Sequence, residues 1–145
     1  MRIIKADVIT DTIKKMCIEA NYYLPPDVKK ALFKAYDEED NELSKETLNV
    51  LKENAMIAER LNVPICQDTG MACIFLEIGQ EVYVDGNLKK AIEKGVRWGY
   101  QEGYLRKSIV DDPVFDRINT LDNTPAIIHY ELVSGDKIKI KVAPK

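Results

Sequence analysis

Cys66, Gln67, Asp68 and Thr69 set a thiol, an amide, a carboxylate and a hydroxyl on consecutive residues, after Val63-Pro64-Ile65 and before Gly70. A packed core has no use for such a row, because each polar group buried without a partner costs about 1–3 kcal/mol. A loop that does chemistry has a use for it. A thiolate binds soft metals or attacks electrophiles, and a carboxylate beside it can take or give a proton. Spacing alone leaves three readings of Cys66 open: a cluster ligand, a nucleophile or a structural thiol. A nucleophile wants a nearby base, and the single histidine, His129, lies far along the chain.

The other thiols read differently. Cys73 falls in an apolar run and Cys17 on the apolar side of a helical pattern, so both read as small buried hydrophobes. Six residues lie between Cys66 and Cys73, which is no standard zinc spacing. The acidic run Asp37-Glu38-Glu39-Asp40 reads as a solvated turn rather than a metal site. His129 reads as a hydrogen-bonded strand residue, with a catalytic role left open.

The elements that must position the reactive loop follow from periodicity. Residues 1–62 read as a helical region. Ile9, Ile13, Met16, Cys17 and Ala20 keep helical spacing, and Leu24-Pro25-Pro26 ends that helix and begins the next. Val28, Ala31, Leu32 and Ala35 form a second stripe. Ser44 is expected to cap a third helix, with Leu43 and Leu48 as a hydrophobic staple, and Pro64 to end it. That helix leads straight to Cys66.

Residues 63–145 read as a mixed αβ portion. The nearly continuous apolar run 71–78 predicts a short buried strand, and 81–84 a second strand. Asn87 is expected to cap a helix through Leu88, Ala91, Ile92 and Val96. Gly95, Gly99 and Gly103 recur inside it, each costing about 1 kcal/mol relative to alanine. Either close approach of another backbone or an irregular helix end would account for them. Residues 105–124 form a long polar connection of the kind that is often functional. Strands over 126–133 and 137–142 around Ser134-Gly135-Asp136 predict a C-terminal β-hairpin, with Ile138, Ile140 and Val142 inward and Lys137, Lys139 and Lys141 outward. The fold class is therefore α+β. With the chain stopping at Ala143-Pro144-Lys145 just after a strand, one truncated catalytic domain is expected.

Composition bounds the function. The 145 residues are 46% hydrophobic, ordinary for a globular domain, and the net charge of -3 offers no basic footprint for nucleic acid. No apolar run approaches the ~20 residues of a membrane span. Asp7 follows the start too closely for a secretory signal, and three cysteines do not make a secreted disulfide framework. The cytoplasm is the expected compartment.

The segment Pro64-Ile65-Cys66-Gln67-Asp68-Thr69-Gly70 resembles the first cluster-binding motif of the class I, iron–sulfur fumarate hydratases and the related L-tartrate dehydratases. The resemblance continues through Gly95 to Gly103 and Tyr104-Leu105-Arg106-Lys107-Ser108. It returns at Asn119-Thr120, at Asp122-Asn123-Thr124-Pro125-Ala126-Ile127-Ile128-His129, at Gly135-Asp136 and at Ala143-Pro144-Lys145. It covers about the whole chain and implies the N-terminal part of an α subunit or domain.

The resemblance also implies roles. Cys66 would ligate one iron of a [4Fe-4S] cluster whose other two cysteines lie outside these residues, leaving one iron open to substrate. Gln67, Asp68 and Arg106 would bind a small dicarboxylate, with Asp68 the acid/base and the Arg106 fork on a carboxylate. The implied reaction is reversible hydration of fumarate to L-malate, a tricarboxylic acid cycle step, with tartrate dehydration the alternative. The implied partners are the rest of the α subunit and a β subunit or C-terminal domain, in a homo- or hetero-oligomer. Two readings of other classes stand beside it: a helical folding and assembly module without activity, and a stand-alone small-molecule binder.

Overall fold

The computed structural model describes all 145 residues. In chain order the elements are β1 (Arg2–Lys5), α1 (Ala6–Tyr22), α2 (Pro26–Glu38), α3 (Glu42–Leu61), β2 (Ala72–Gly79), β3 (Val82–Asp85), α4 (Leu88–Glu102), β4 (Ile127–Val133) and β5 (Ile138–Pro144). The class is α+β, as the periodicities require.

The core forms where α1 and α4 lie on β2. Ile9, Ile13 and Cys17 make one stripe on α1, Ile92, Val96 and Tyr100 one on α4, and Ala72, Ile74 and Leu76 the inward side of β2. This cluster runs across residue 62, so α1 shares its core with the αβ portion. The glycines of α4 explain how close the two helices come. A Cβ added at Gly95 would lie 2.7 Å from the Thr10 carbonyl oxygen, and one at Gly99 would lie 2.8 Å from Cys17 Cβ and 2.9 Å from the Lys14 carbonyl oxygen. Thr10 Oγ1 uses the approach to donate to the Ala91 carbonyl across the interface, at 3.0 Å. Gly99→Ala is therefore expected to lower stability by about 1–3 kcal/mol through overpacking. A urea unfolding midpoint equal to that of the unsubstituted chain would remove this account of the glycines.

β2 is the centre of a three-stranded sheet of order β4-β2-β5. It runs parallel to β4, with Cys73 opposite Ile127, and antiparallel to β5, with Cys73 opposite Ala143. The parallel pair requires a crossover, which α4 supplies. The C-terminal strands follow one another through a short turn like the arms of a hairpin, but β2 lies between them. The ladder partner of β5 is thus β2 and not β4. Ile138, Ile140 and Val142 face the core as their alternation predicts.

Three local expectations need correction. Arg2–Lys5 is not helical but a strand paired in parallel with β3, Ile3 opposite Tyr83. The cap of α3 is Asn41, whose Oδ1 accepts from Ser44 N at 3.0 Å, so Ser44 lies inside the helix and Leu43, largely exposed, makes no staple. β2 is covered along one face, while on the other Cys73 is buried but Phe75 and Glu77 are not. Its outer face carries Phe75, stacked on His129 at 4.8 Å between ring centroids, and Glu77, which pairs with Lys139 at 3.0 Å. His129 is thus held by stacking, without the hydrogen bond expected of it. No helix is long and apolar enough to cross a membrane.

Candidate functional site

The approach to the reactive loop is fixed before Cys66. α3 ends where Asn62 takes a left-handed conformation, φ 51°, and Val63 N donates back to the Ala58 carbonyl at 3.1 Å. The helix thus stops two residues before Pro64, at an asparagine that tolerates this backbone. Ile65 is then held from both sides. Its N–H donates to the Asn21 carbonyl of α1 at 2.9 Å, and its carbonyl accepts from Asn54 Nδ2 of α3 at 2.8 Å.

Cys66, Gln67 and Asp68 follow, all exposed. Cys66 is the exposed cysteine of the three, and Asp68 N–H points at its Sγ at 3.4 Å. Thr69 turns the chain inward again and is buried. Its carbonyl accepts from the Tyr100 hydroxyl at 2.9 Å, and its Oγ1 donates to the Arg106 carbonyl at 3.1 Å. The loop is tied down on both sides of three exposed reactive residues.

Arg106 reaches this place because of the end of α4. Gly103 caps the helix, Tyr104 takes φ 52°, and Leu105 N donates to the Tyr100 carbonyl at 3.0 Å. This reversal buries Leu105 and brings the Arg106 main chain against Thr69. Both explanations weighed for the glycines hold: Gly95 and Gly99 admit α1, while Gly103 ends the helix. The Arg106 side chain is exposed. Asp112, farther along the same connection, is engaged elsewhere: its Oδ1 accepts from Val114 N and Phe115 N. These backbone hydrogen bonds, Phe115 first, hold the Asp112 carboxyl below its ordinary range.

The long connection is ordered by its own side chains. Asn119 Nδ2 donates to the Lys107 carbonyl at 2.9 Å, and Thr120 Oγ1 to the Ile109 carbonyl at 3.3 Å. Asp122 accepts from Thr124 and, at 2.7 Å, from Arg97 Nε of α4. Burial pushes the Asp122 carboxyl up, but the Thr124 and Arg97 hydrogen bonds outweigh it and leave the group below its ordinary range. Thr69 departs from the exposed row expected of it, and the sequence offers no reason to expect Tyr100 or Asn123 beside it. Their signal was there only in residue type, since a polar residue must be partnered when buried.

The structure therefore brings together Cys66, Gln67, Asp68 and the main chain of Arg106, and leaves His129 on the outer face of the sheet. The other two thiols are buried, Cys17 in the α1–α4 interface and Cys73 in β2. Burial pushes the Cys17 thiol up to about 12. An Ellman titration of the native chain in mildly alkaline buffer is expected to find one reactive thiol, with the two buried ones appearing only on denaturation. Fast reaction of a second thiol in the native chain would contradict the assigned burial.

A metal or cluster would find one ligand here. Cys66 is exposed and flanked by polar groups, which suits an iron–thiolate bond, but no group of three His, Cys, Asp or Glu side chains converges anywhere in the chain. The donor set fits one corner of a cluster and no more.

The chain thus presents a pinned loop that displays a thiol, an amide and a carboxylate, with an arginine-bearing segment hydrogen-bonded beside it. The chain belongs to the fumarate hydratase (fumerase) family, whose profile matches residues 10–145. It is 42% identical over 142 residues to a provisionally named L(+)-tartrate dehydratase subunit alpha of Methanocaldococcus jannaschii, covering 94% of this chain and 50% of that protein. It is 30% identical over 146 residues to the anaerobic class I fumarate hydratase of Escherichia coli K12, covering 98% of this chain and 26% of that one. It is 27% identical over 138 residues to the L(+)-tartrate dehydratase subunit alpha of Escherichia coli UTI89, covering 92% and 45%. The chain thus spans half the length or less of these curated relatives. Their names are those of hydro-lyases, enzymes that add water across a carbon–carbon double bond or form one by removing water.

Proposed function

We propose that this chain supplies part of the active site of an iron–sulfur hydro-lyase acting on a four-carbon dicarboxylate, with reversible hydration of fumarate to L-malate as the reaction. The observation that carries the reading is the exposed Cys66-Gln67-Asp68 row on a loop hydrogen-bonded to the Arg106 main chain. Cys66 would hold one iron of a [4Fe-4S] cluster, and the remaining ligands would come from residues outside this chain. When bound, such a cluster supplies a Lewis acid that draws on a substrate oxygen.

The residues present then divide the work. Arg106 offers a planar two-pronged donor to one substrate carboxylate. Gln67 can donate its amide hydrogens and orient the chain of the substrate. Asp68 is the acid/base: in the hydration direction the carbon that does not receive the hydroxyl needs a proton, and in reverse that proton must be removed. Dehydration of L-tartrate uses the same set and is the second reading, favoured by the 42% identity to a protein bearing that name. The rest of an α subunit and a β subunit or further domain would complete the site, in the cytoplasm. The α2–α3 pair carries no chemistry legible in its side chains and would serve assembly.

The test is anaerobic reconstitution of the complete enzyme, with iron counting and assays on fumarate, L-malate and L(+)-tartrate. A full complement of cluster with turnover of one of these pairs is expected, and none from residues 1–145 alone. A loaded enzyme that turns over neither fumarate nor tartrate would overturn the reading.

A further inference from the structure

Asn123 is the least accessible polar residue of the chain, 0% exposed, and it sits between the two segments that carry the proposed chemistry. Its Nδ2 donates to the Gly70 carbonyl at 3.0 Å, on the loop of Cys66. Its Oδ1 accepts from Ser108 N at 2.7 Å and from Ile109 N at 3.3 Å, just beyond Arg106. One side chain thereby clamps three main-chain groups from two segments remote in sequence.

We infer that Asn123 is a positioning residue that sets the distance between Cys66 and Arg106; the inference rests on the proposed roles of those two residues. An amide suits this job, because without a charge it donates from one atom and accepts two N–H groups at another, so that it reaches two segments at once. A carboxylate would turn an acceptor toward the Gly70 carbonyl, and an apolar residue would leave main-chain N–H groups without partners. The backbone agrees, since Asn123 holds φ 61°, where asparagine is tolerated and bulky side chains are not. Thr69 adds a second tie, from Oγ1 to the Arg106 carbonyl, but joins only one main-chain group. Asp122, its neighbour, is braced by Arg97 and fixes where Asn123 enters. A site held this way is sensitive to small slack, since ~1 Å of misplacement can cost up to ~100-fold in rate.

The test has three arms. In the unsubstituted chain the Ser108 and Ile109 amides are expected to resist hydrogen exchange as well as those of Ile74 and Leu76; exchange at free-loop rates overturns the clamp without any variant. Spin labels on Cys66 and on an Arg106→Cys substitution should give one narrow distance distribution, which Asn123→Gly broadens while the helical circular dichroism is kept. Glycine tolerates the left-handed backbone while removing the side chain; if it fails to fold, Asn123→Asp keeps the acceptor for Ser108 and Ile109, replaces the donor to Gly70 with an acceptor and is read in the same way. An unchanged distribution in a folded variant overturns the inference. In the complete enzyme Asn123→Gly should lose at least about tenfold in kcat/KM with its iron content kept, and full kcat/KM there also overturns it. The first two arms need no cluster. A clamp confirmed by them beside an enzyme that binds no iron would refute the proposed function and leave the clamp standing.

Discussion

Cys66→Ser in the complete enzyme is expected to give a folded protein without bound iron and without turnover. The fold should tolerate the change because the side chain is exposed and its one polar contact is the Asp68 N–H, at 3.4 Å. Serine keeps the size and an acceptor for that N–H, but an alkoxide is not available at neutral pH as a soft iron ligand, whereas a thiolate is. The buried thiols give the contrast. Cys17→Ala and Cys73→Ala remove a packed sulfur from the α1–α4 interface and from β2, and each should cost about 1 kcal/mol or somewhat more. Both should keep the iron. Denaturation midpoints and iron-to-protein ratios, measured together, separate the two kinds of cysteine. A Cys73→Ala enzyme that folds normally and loses iron would reverse the assignment, and so would a Cys66→Ser enzyme that retains its full iron.

Arg106→Lys is expected to leave cluster assembly intact and to lower kcat/KM at least about tenfold, ~1.4 kcal/mol of transition-state binding. The Arg106 carbonyl is held by Thr69 Oγ1 whatever the side chain, so the main chain should stay in place. What changes is the head group. Guanidinium presents parallel N–H donors that match both oxygens of a carboxylate, and an ammonium keeps the charge without the fork. A surface role would behave otherwise: an exposed arginine that only pairs with solvent or with a nearby aspartate contributes under ~1 kcal/mol to stability and nothing to turnover. Asp112 Oδ1 is already taken by the amides of Val114 and Phe115. Steady-state kinetics on fumarate, malate and tartrate that match the unsubstituted enzyme would assign Arg106 to the solvated surface.

Local chemistry determined a good deal of this protein from sequence. The stripes of α1 and α4, the proline break between α1 and α2 and the Asn87 cap of α4 all follow from side-chain spacing, because helix periodicity and end capping are settled within a few residues. The alternation of isoleucine and lysine fixed which face of β5 is wet. The polar row at Cys66 marked the loop as exposed for the same reason, and this holds for Cys66, Gln67 and Asp68 but not for Thr69, which finds partners in Tyr100 and Arg106.

Tertiary structure decided what depends on remote partners. A strand at Arg2–Lys5 exists because β3 offers it a ladder far along the sequence, and four residues carry no periodicity that could announce it. Asn41 and Ser44 are both good caps, and the entry of the chain into α3 chose between them. The apolar run of β2 could serve a strand buried on both faces, yet only α1 and α4 arrive to cover it, so Phe75 and Glu77 face outward. β2 also enters between β4 and β5, which adjacency in sequence cannot foretell, since ladder bonds form with whichever strand packs alongside. The glycines of α4 signalled close approach or a helix end, and only the packed α1 showed that both apply. Asn123 is the plainest case. Nothing in Asp122-Asn123-Thr124 distinguishes a turn residue from a buried clamp, because its three partners, at Gly70, Ser108 and Ile109, come within hydrogen-bond reach only once the fold has closed around it.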